Sequence, residues 1–364
     1  MLKCLAGIFL LIGSVIGGGI LAIPIVSAKF GFLVTLILIV IAWGIMTKTG
    51  LYILDLSLSC PEKYNSYYSI VGKFLGSTAQ RITILLFLWL LYFSLASYIS
   101  GCASVILTHL KTVNPFISYF NTSLLFVFVA GSFLVIGAKF IFRINAFIVA
   151  MKLLLLLLVI VSSAFLIKKG VPLTLMPFKH TGLLSLFLII INAFGFQFIV
   201  PSIVSYYGRD NRLIFNKMLI FSTSTVLILY IAWLYTVYTL IPMEGDKGLI
   251  AIYQSNNQLF AFNESLAYFV GSSLVMRLLS FFQVVALFGS FFCISLGVFD
   301  FLVDVFKAQN RVIIGIITFL PPLLLSLLSQ NMYTYAMSGA GYIAVILEII
   351  IPVWAQKIHK ARPL

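Results

Sequence analysis

Long apolar runs separated by short polar interruptions form the pattern of this chain. Read by apolar length and loop punctuation, about ten runs are membrane-span candidates: 5–28, 31–54, 82–108, 120–138, 145–167, 181–206, 216–241, 271–303, 311–329 and 333–356. A hydrocarbon core of ~30 Å takes about 20 helical residues. Backbone polar groups inside it must be satisfied within the segment, so each run predicts a helix. Two longer polar stretches interrupt the series. The stretch 55–81, with Pro61-Glu-Lys-Tyr-Asn-Ser-Tyr-Tyr, predicts a loop carrying a short surface helix. The stretch 242–270 is loosely amphipathic (Leu249, Ile250, Ile252, Tyr253, then Leu259, Phe260, Phe262, Leu266) and predicts a helix capping an external vestibule.

Two runs carry helix breakers at their centres. In the first, Gly13-Ser-Val-Ile-Gly-Gly-Gly-Ile-Leu-Ala-Ile-Pro places Gly17, Gly18 and Gly19 in mid-membrane. Glycine in a helix interior costs ~1 kcal/mol against alanine. Unwound backbone at that depth is tolerated only where protein buries it or a cavity is lined by it. In the sixth run, Ile191-Asn-Ala-Phe-Gly-Phe-Gln-Phe-Ile-Val-Pro repeats the spacing: Gly195 precedes Pro201 by six positions, as Gly18 precedes Pro24. Close packing through small residues would account for one such segment. Two, in corresponding places of two halves, point to the interrupted helices of a secondary transporter, where substrate and ions bind. Five spans per half is an odd number, which inverts the second half against the first. The chain is therefore expected to be one transmembrane domain over residues 1–364. Its fold class is all-α polytopic: a leucine-transporter-type 5+5 inverted repeat (about 5–167 and 181–356) with spans one and six broken.

Composition removes other classes. The chain has 364 residues, 62% of them hydrophobic and 9% charged, with mean hydropathy +1.16. That is a polytopic membrane protein with no sizeable soluble core. The net charge of +14 would point to nucleic acid in a soluble protein. Here it reflects basic residues in loops on one side of the membrane. With the amino terminus inside, fifteen of the 23 Lys and Arg fall on the inner side, seven on the outer side, and Lys152 lies within a span. Both termini are thus expected in the cytoplasm, with lipid as the surroundings and no nucleic acid partner. The first run is too long for a cleavable signal and continues into Lys29-Phe30-Gly31. Cys4, Cys60, Cys102 and Cys293 show neither zinc spacing nor a disulfide framework. His109, His180 and His359 sit at loops or ends. No hydrolase or redox constellation, metal site or cofactor site is expected, so an enzyme is a poor reading. The sequence carries no signal of an oligomeric state.

Five collinear motifs add a resemblance. They are Gly17-Gly-Gly-Ile-Leu-Ala-Ile-Pro, Tyr98-Ile-Ser-Gly, Phe194-Gly-Phe followed by Val200-Pro-Ser-Ile-Val-Ser-Tyr, Ser295-Leu-Gly-Val-Phe-Asp-Phe-Leu-Val-Asp, and Phe319-Leu-Pro-Pro-Leu. Together they resemble the hydroxy/aromatic amino acid permease family, most closely its bacterial tyrosine-specific permeases. The likeness runs from about residue 5 to about residue 356. It implies proton-coupled uptake of an aromatic amino acid, tyrosine foremost, through the bacterial inner membrane. Sodium-coupled symport on the same fold, and a non-transporting sensor or channel, stay open as alternatives. The family usually has an eleventh span, whereas this chain stops at Arg362-Pro-Leu.

A zwitterionic substrate must replace the water around its carboxylate and its ammonium. Free amides at a half-helix start suit the carboxylate, which assigns it to the backbone of Gly17, Gly18, Gly19 and Ile20. Carbonyls freed at the breaks suit the ammonium; Ser14, Val15 and Ala193 are the candidates. Asn192 is either a side-chain helper there or a buried helix–helix hydrogen bond. An aromatic ring wants flat apolar walls. Phe194 and Phe196 flank Gly195 at the second break, Tyr98 lies midway along the third span, and Phe291 and Phe292 lie in the eighth. Lys152 follows Arg143 by nine residues, roughly 13 Å along a helix and too deep for a loop charge. A buried ammonium usually lines a cavity and marks an ion path; the other reading is snorkelling to the inner interface. In proton-coupled transporters of this fold a fifth-span lysine stands in for a sodium ion, so the resemblance assigns Lys152 to proton coupling. Glu348 is a further charge inside a span. Asp300 and Asp304, four apart near the inner end of the eighth span, are expected to pair with Arg or Lys in a cytoplasmic gate.

Overall fold

The computed structural model describes residues 2–61, 66–111, 114, 116–165, 182–207, 212–271, 274–306 and 310–361, with the side chains of 2–6, 109, 133–146, 300–301, 303–306 and 311 outside that description. Helices are the only regular elements among the described residues. Seven are long and apolar enough to cross a membrane: Gly31–Ser59, Ser77–Thr108, Phe147–Ala164, Leu183–Ser205, Arg212–Leu240, Leu274–Phe299 and Met332–Ala361. A bent pair, Gly7–Val15 and Gly19–Ser27, meets at 41° and forms the first span, while Tyr119–Ser132 and Val312–Leu327 are shorter apolar helices. In chain order these segments occupy the ranges of the ten predicted spans, the fourth and fifth lying on one continuous helix. Their outer faces are apolar: Phe128 is 75% exposed, Leu213 66% and Ile228 65%. Water would penalise such a belt on a monomer; lipid does not.

One boundary differs from expectation. The loop between the fourth and fifth spans is not formed, because the backbone from Tyr119 to Ala164 is one helix. Lys139 and Arg143 supplied the loop signal. The segment between the two apolar windows holds no proline and no turn cluster, and charge alone does not end a helix. The polar stretches do contain short helices. Tyr67–Leu75 starts at a capping box formed by Ser66 and Ser69. The second stretch holds two helices, Leu249–Gln254 and Gln258–Val270, in place of one.

Four pairs of spans five apart in order are neighbours. The first packs on the sixth, the second on the seventh, the third on the eighth and the fourth on the ninth. The contact of the first span with the sixth sets the two interrupted helices side by side, where the candidate site lies.

Candidate functional site

The first span stops at Val15 and resumes at Gly19. The break does not need unusual backbone angles, since Gly18 has φ −64. What the glycines supply is space. A Cβ on Gly19 would lie 2.6 Å from the Cβ of Ala193, one on Gly17 2.9 Å from the Tyr98 hydroxyl, and one on Gly18 2.7 Å from Tyr98 Cε1. The glycine run thus lets the first, third and sixth spans converge. The first hydrogen bond of the second half-helix runs from the Leu21 amide to the Gly18 carbonyl (2.9 Å). The amides of Gly19 and Ile20 therefore stand ahead of its ladder. Pro24 has no N–H to offer the Ile20 carbonyl; the Trp233 indole Nε1 donates to it instead at 2.9 Å.

The sixth span stops at Ala193, passes through Phe194–Phe196, makes a single 3-10 turn over Gln197–Ile199 and continues as Val200–Tyr207. Gln197 pins this break: its Oε1 accepts from the Phe196 amide (2.9 Å) and its Nε2 donates to Thr49 (3.0 Å) on the second span. The two breaks are joined by Tyr230. Its buried hydroxyl reaches the Val15 carbonyl at 3.1 Å and the Ala193 carbonyl at 2.8 Å. Both carbonyls lost their helical donors at the breaks, and they share this one hydroxyl proton.

A cavity of about 150 Å³ lies between the breaks. It brings together Ser14, Val15, Gly17, Gly19, Tyr98, Asn192, Ala193 and Gly195 of the residues expected from sequence. Four others lie outside its lining. Ile20 is fully buried. Gly18 sits behind the cavity, with its carbonyl accepting from the Tyr333 hydroxyl. Phe194 packs on Tyr230 with ring centroids 5.0 Å apart, and Phe196 lies against Gly50. Phe291 stacks with Phe319 and Phe126 away from the cavity. The aromatic walls are instead Tyr98, Phe87 and Phe198, the last two 4.5 Å apart. Asn192 lines the cavity and its Nδ2 contacts Met337 Sδ at 3.2 Å.

Several lining residues had no place in the sequence reading. Phe87, Leu91 and Ser94 share with Tyr98 the three-to-four spacing of one helix face, so that period, counted back from Tyr98, would have found them. Glu348 also lines the cavity. Its signal was an acid alone in an apolar span.

A second cavity of about 320 Å³ adjoins the first and shares Ser14, Phe87, Leu91, Tyr98 and Ile294 with it. Lys152 lines it, is 5% exposed, and donates from Nζ to the Gly13 carbonyl at 2.7 Å. That carbonyl ends the first half-helix, where the helix dipole favours a cation. The second cavity also touches Leu10, so it extends on the amino-terminal side of the break. On the opposite side, the Gln258 backbone N–H donates to Asn331 Oδ1 (2.9 Å) and its side-chain Oε1 accepts from Thr334 Oγ1 (2.7 Å). The helix Gln258–Val270 thereby clasps the start of the tenth span. The side chains of Asp300 and Asp304 lie outside the described residues. At the end of the molecule nearer the chain termini, Asp55 pairs with Arg212 at 2.6 Å and accepts from Gln356 at 2.7 Å. This joins the second, seventh and tenth spans.

A cavity between two interrupted helices, with a buried lysine at one break, fits a secondary transporter. Comparison with known proteins names the family. The chain matches the tryptophan/tyrosine permease family over residues 1–363 and belongs to it. It is similar to a low affinity tryptophan permease of Escherichia coli, 31% identical over 375 residues that cover 98% of this chain and 88% of the relative. It is also similar to tyrosine-specific transport system 2 of Haemophilus influenzae, 27% identical over 372 residues (98% of this chain, 89% of the relative). A third relative is a tryptophan-specific transport protein of Pseudomonas aeruginosa, 26% identical over 370 residues (98% and 87%). The protein is a multi-pass membrane permease.

Proposed function

We propose that the protein is a proton-coupled symporter that takes up an aromatic amino acid, tyrosine foremost, across the bacterial inner membrane. Both termini lie in the cytoplasm, and residues of about 5–167 and 181–356 form its inverted repeats. In that orientation the Lys152 cavity faces the cytoplasm. The reading is carried by one observation: the Lys152 ammonium donates to the Gly13 carbonyl at the broken first span, 2.7 Å away. Protonated, Lys152 ties the fifth span to the first as a bound sodium ion would. Deprotonated from the cytoplasm, it releases Gly13 and lets the inner side open. The substrate carboxylate meets the backbone amides of Gly17 and Gly19, which line the cavity, where the half-helix dipole favours an anion. The ring lies against Phe87, Phe198 and Tyr98. The names of the relatives support an aromatic substrate, and tryptophan is the second candidate for the same reason.

The test is accumulation against an imposed pH gradient in proteoliposomes. The wild-type protein is expected to concentrate labelled tyrosine, and a protonophore to abolish this. Lys152→Ala is expected to lose accumulation while retaining slow exchange. Accumulation by Lys152→Ala at the wild-type level would place the proton elsewhere. Accumulation that follows a sodium gradient at constant pH would replace the coupling ion.

A further inference from the structure

We propose that Glu348 is the anchor for the substrate ammonium. The proposal rests on the aromatic amino acid reading above and assigns one more group of that site. Glu348 sits in a π-helical turn of the tenth span, Val345–Ile350. Such turns are rare and occur frequently at functional sites. The residue is 3% exposed, and its Oε2 has no hydrogen-bond partner. A buried polar atom is normally paired, and a buried carboxylate needs an opposite charge. Among the described residues lining this cavity, none is cationic. Lys152 lines only the adjoining cavity, where its Nζ is engaged by Gly13.

The carboxyl points at the second break. It fills the notch left by Gly195, where a Cβ would stand 2.8 Å from Oε1 and 3.0 Å from Oε2. The π-helical turn is held in place by Tyr67, whose hydroxyl donates to the Leu347 carbonyl. The other acceptors offered to an ammonium at the breaks are partly occupied. The Val15 and Ala193 carbonyls already share the single Tyr230 hydroxyl proton. A charge-assisted bond to a carboxylate is also stronger than one to a carbonyl. The cavity thus offers the amides of the first break to the carboxylate and Glu348, beside the second break, to the ammonium. An α-amino acid carries its two charges on one carbon and fits between them, with its ring toward Phe87 and Phe198.

The experiment compares two ligands on purified protein. One is the aromatic amino acid; the other is its des-amino counterpart, hydroxyphenylpropionate for tyrosine or indolepropionate for tryptophan. Wild type should prefer the amino acid. Glu348→Gln should weaken amino acid binding on the order of tenfold to a hundredfold, yet leave the des-amino ligand at its wild-type affinity, so that the preference collapses. Gly195→Ala, which presses on the carboxyl without removing its charge, should reduce the preference in the same direction by less. It decides the matter if Glu348→Gln does not fold. Equal weakening of both ligands, or an unchanged preference in both variants, would overturn the anchor. Failure of the wild-type protein to bind either aromatic amino acid would overturn the substrate reading as well, and that result is read from the wild type alone.

Discussion

Tyr230→Phe isolates the contact that joins the two breaks. The substitution removes one oxygen and keeps the ring that packs on Phe194 at 5.0 Å, so it opens almost no cavity. What is lost is the donor shared by the Val15 and Ala193 carbonyls, at 3.1 and 2.8 Å. A hydroxyl has a single proton, so the loss is one hydrogen bond, not two. Leaving a buried acceptor unpaired costs about 1–3 kcal/mol, and a value near 2 kcal/mol corresponds to roughly 30-fold in the equilibrium between joined and separated breaks. Tyr238→Phe is the matched control. Its hydroxyl lies 2.9 Å from Ser27 Oγ, and Ser27 has a second partner in the Pro24 carbonyl at 3.1 Å, so this loss leaves no donor stranded. Thermal unfolding of the detergent-purified proteins should show Tyr230→Phe melting several degrees below wild type and clearly below Tyr238→Phe. Uptake in proteoliposomes should fall with Tyr230→Phe and stay near wild type with Tyr238→Phe. If the two variants melted and transported alike, the shared hydroxyl would not be holding the breaks together.

Two further outcomes follow from the same geometry. Gly18→Leu should abolish uptake while membrane-fraction abundance stays near wild type, because even its Cβ would sit 2.7 Å from Tyr98 Cε1 and 3.2 Å from Leu287 Cδ2; uptake at the normal rate would remove the close convergence at the first break from the mechanism. Tyramine, which lacks the carboxylate, should compete with labelled tyrosine at least about tenfold less well than tyrosine, from the ~1–3 kcal/mol cost of leaving the amides of the first break unpaired. Equal competition in an uptake assay would show that those amides do not hold the carboxylate.

The amino-acid sequence alone determined the number and order of the spans, the two breaks and the depth of Lys152. Each of these rests on a local rule. The thickness of the hydrocarbon sets span length, and lipid forbids an unpaired backbone unless protein or a cavity takes it. A glycine run or a lone charge in an apolar helix is therefore conspicuous without any knowledge of its neighbours. The tertiary structure decided which side of each helix meets the cavity. Phe194 and Phe196 flank the second break in sequence yet turn to Tyr230 and Gly50, while Phe87 and Phe198 form the walls. It also decided that Tyr230 and Trp233, from the seventh span, supply the donors that the first span lacks, and that Glu348 lies against Gly195. In a soluble protein the polar face of a helix reveals its rotation. In a membrane the lipid-facing and protein-facing sides are both apolar, so that signal is missing, and the rotation of each span is settled only by packing against the others.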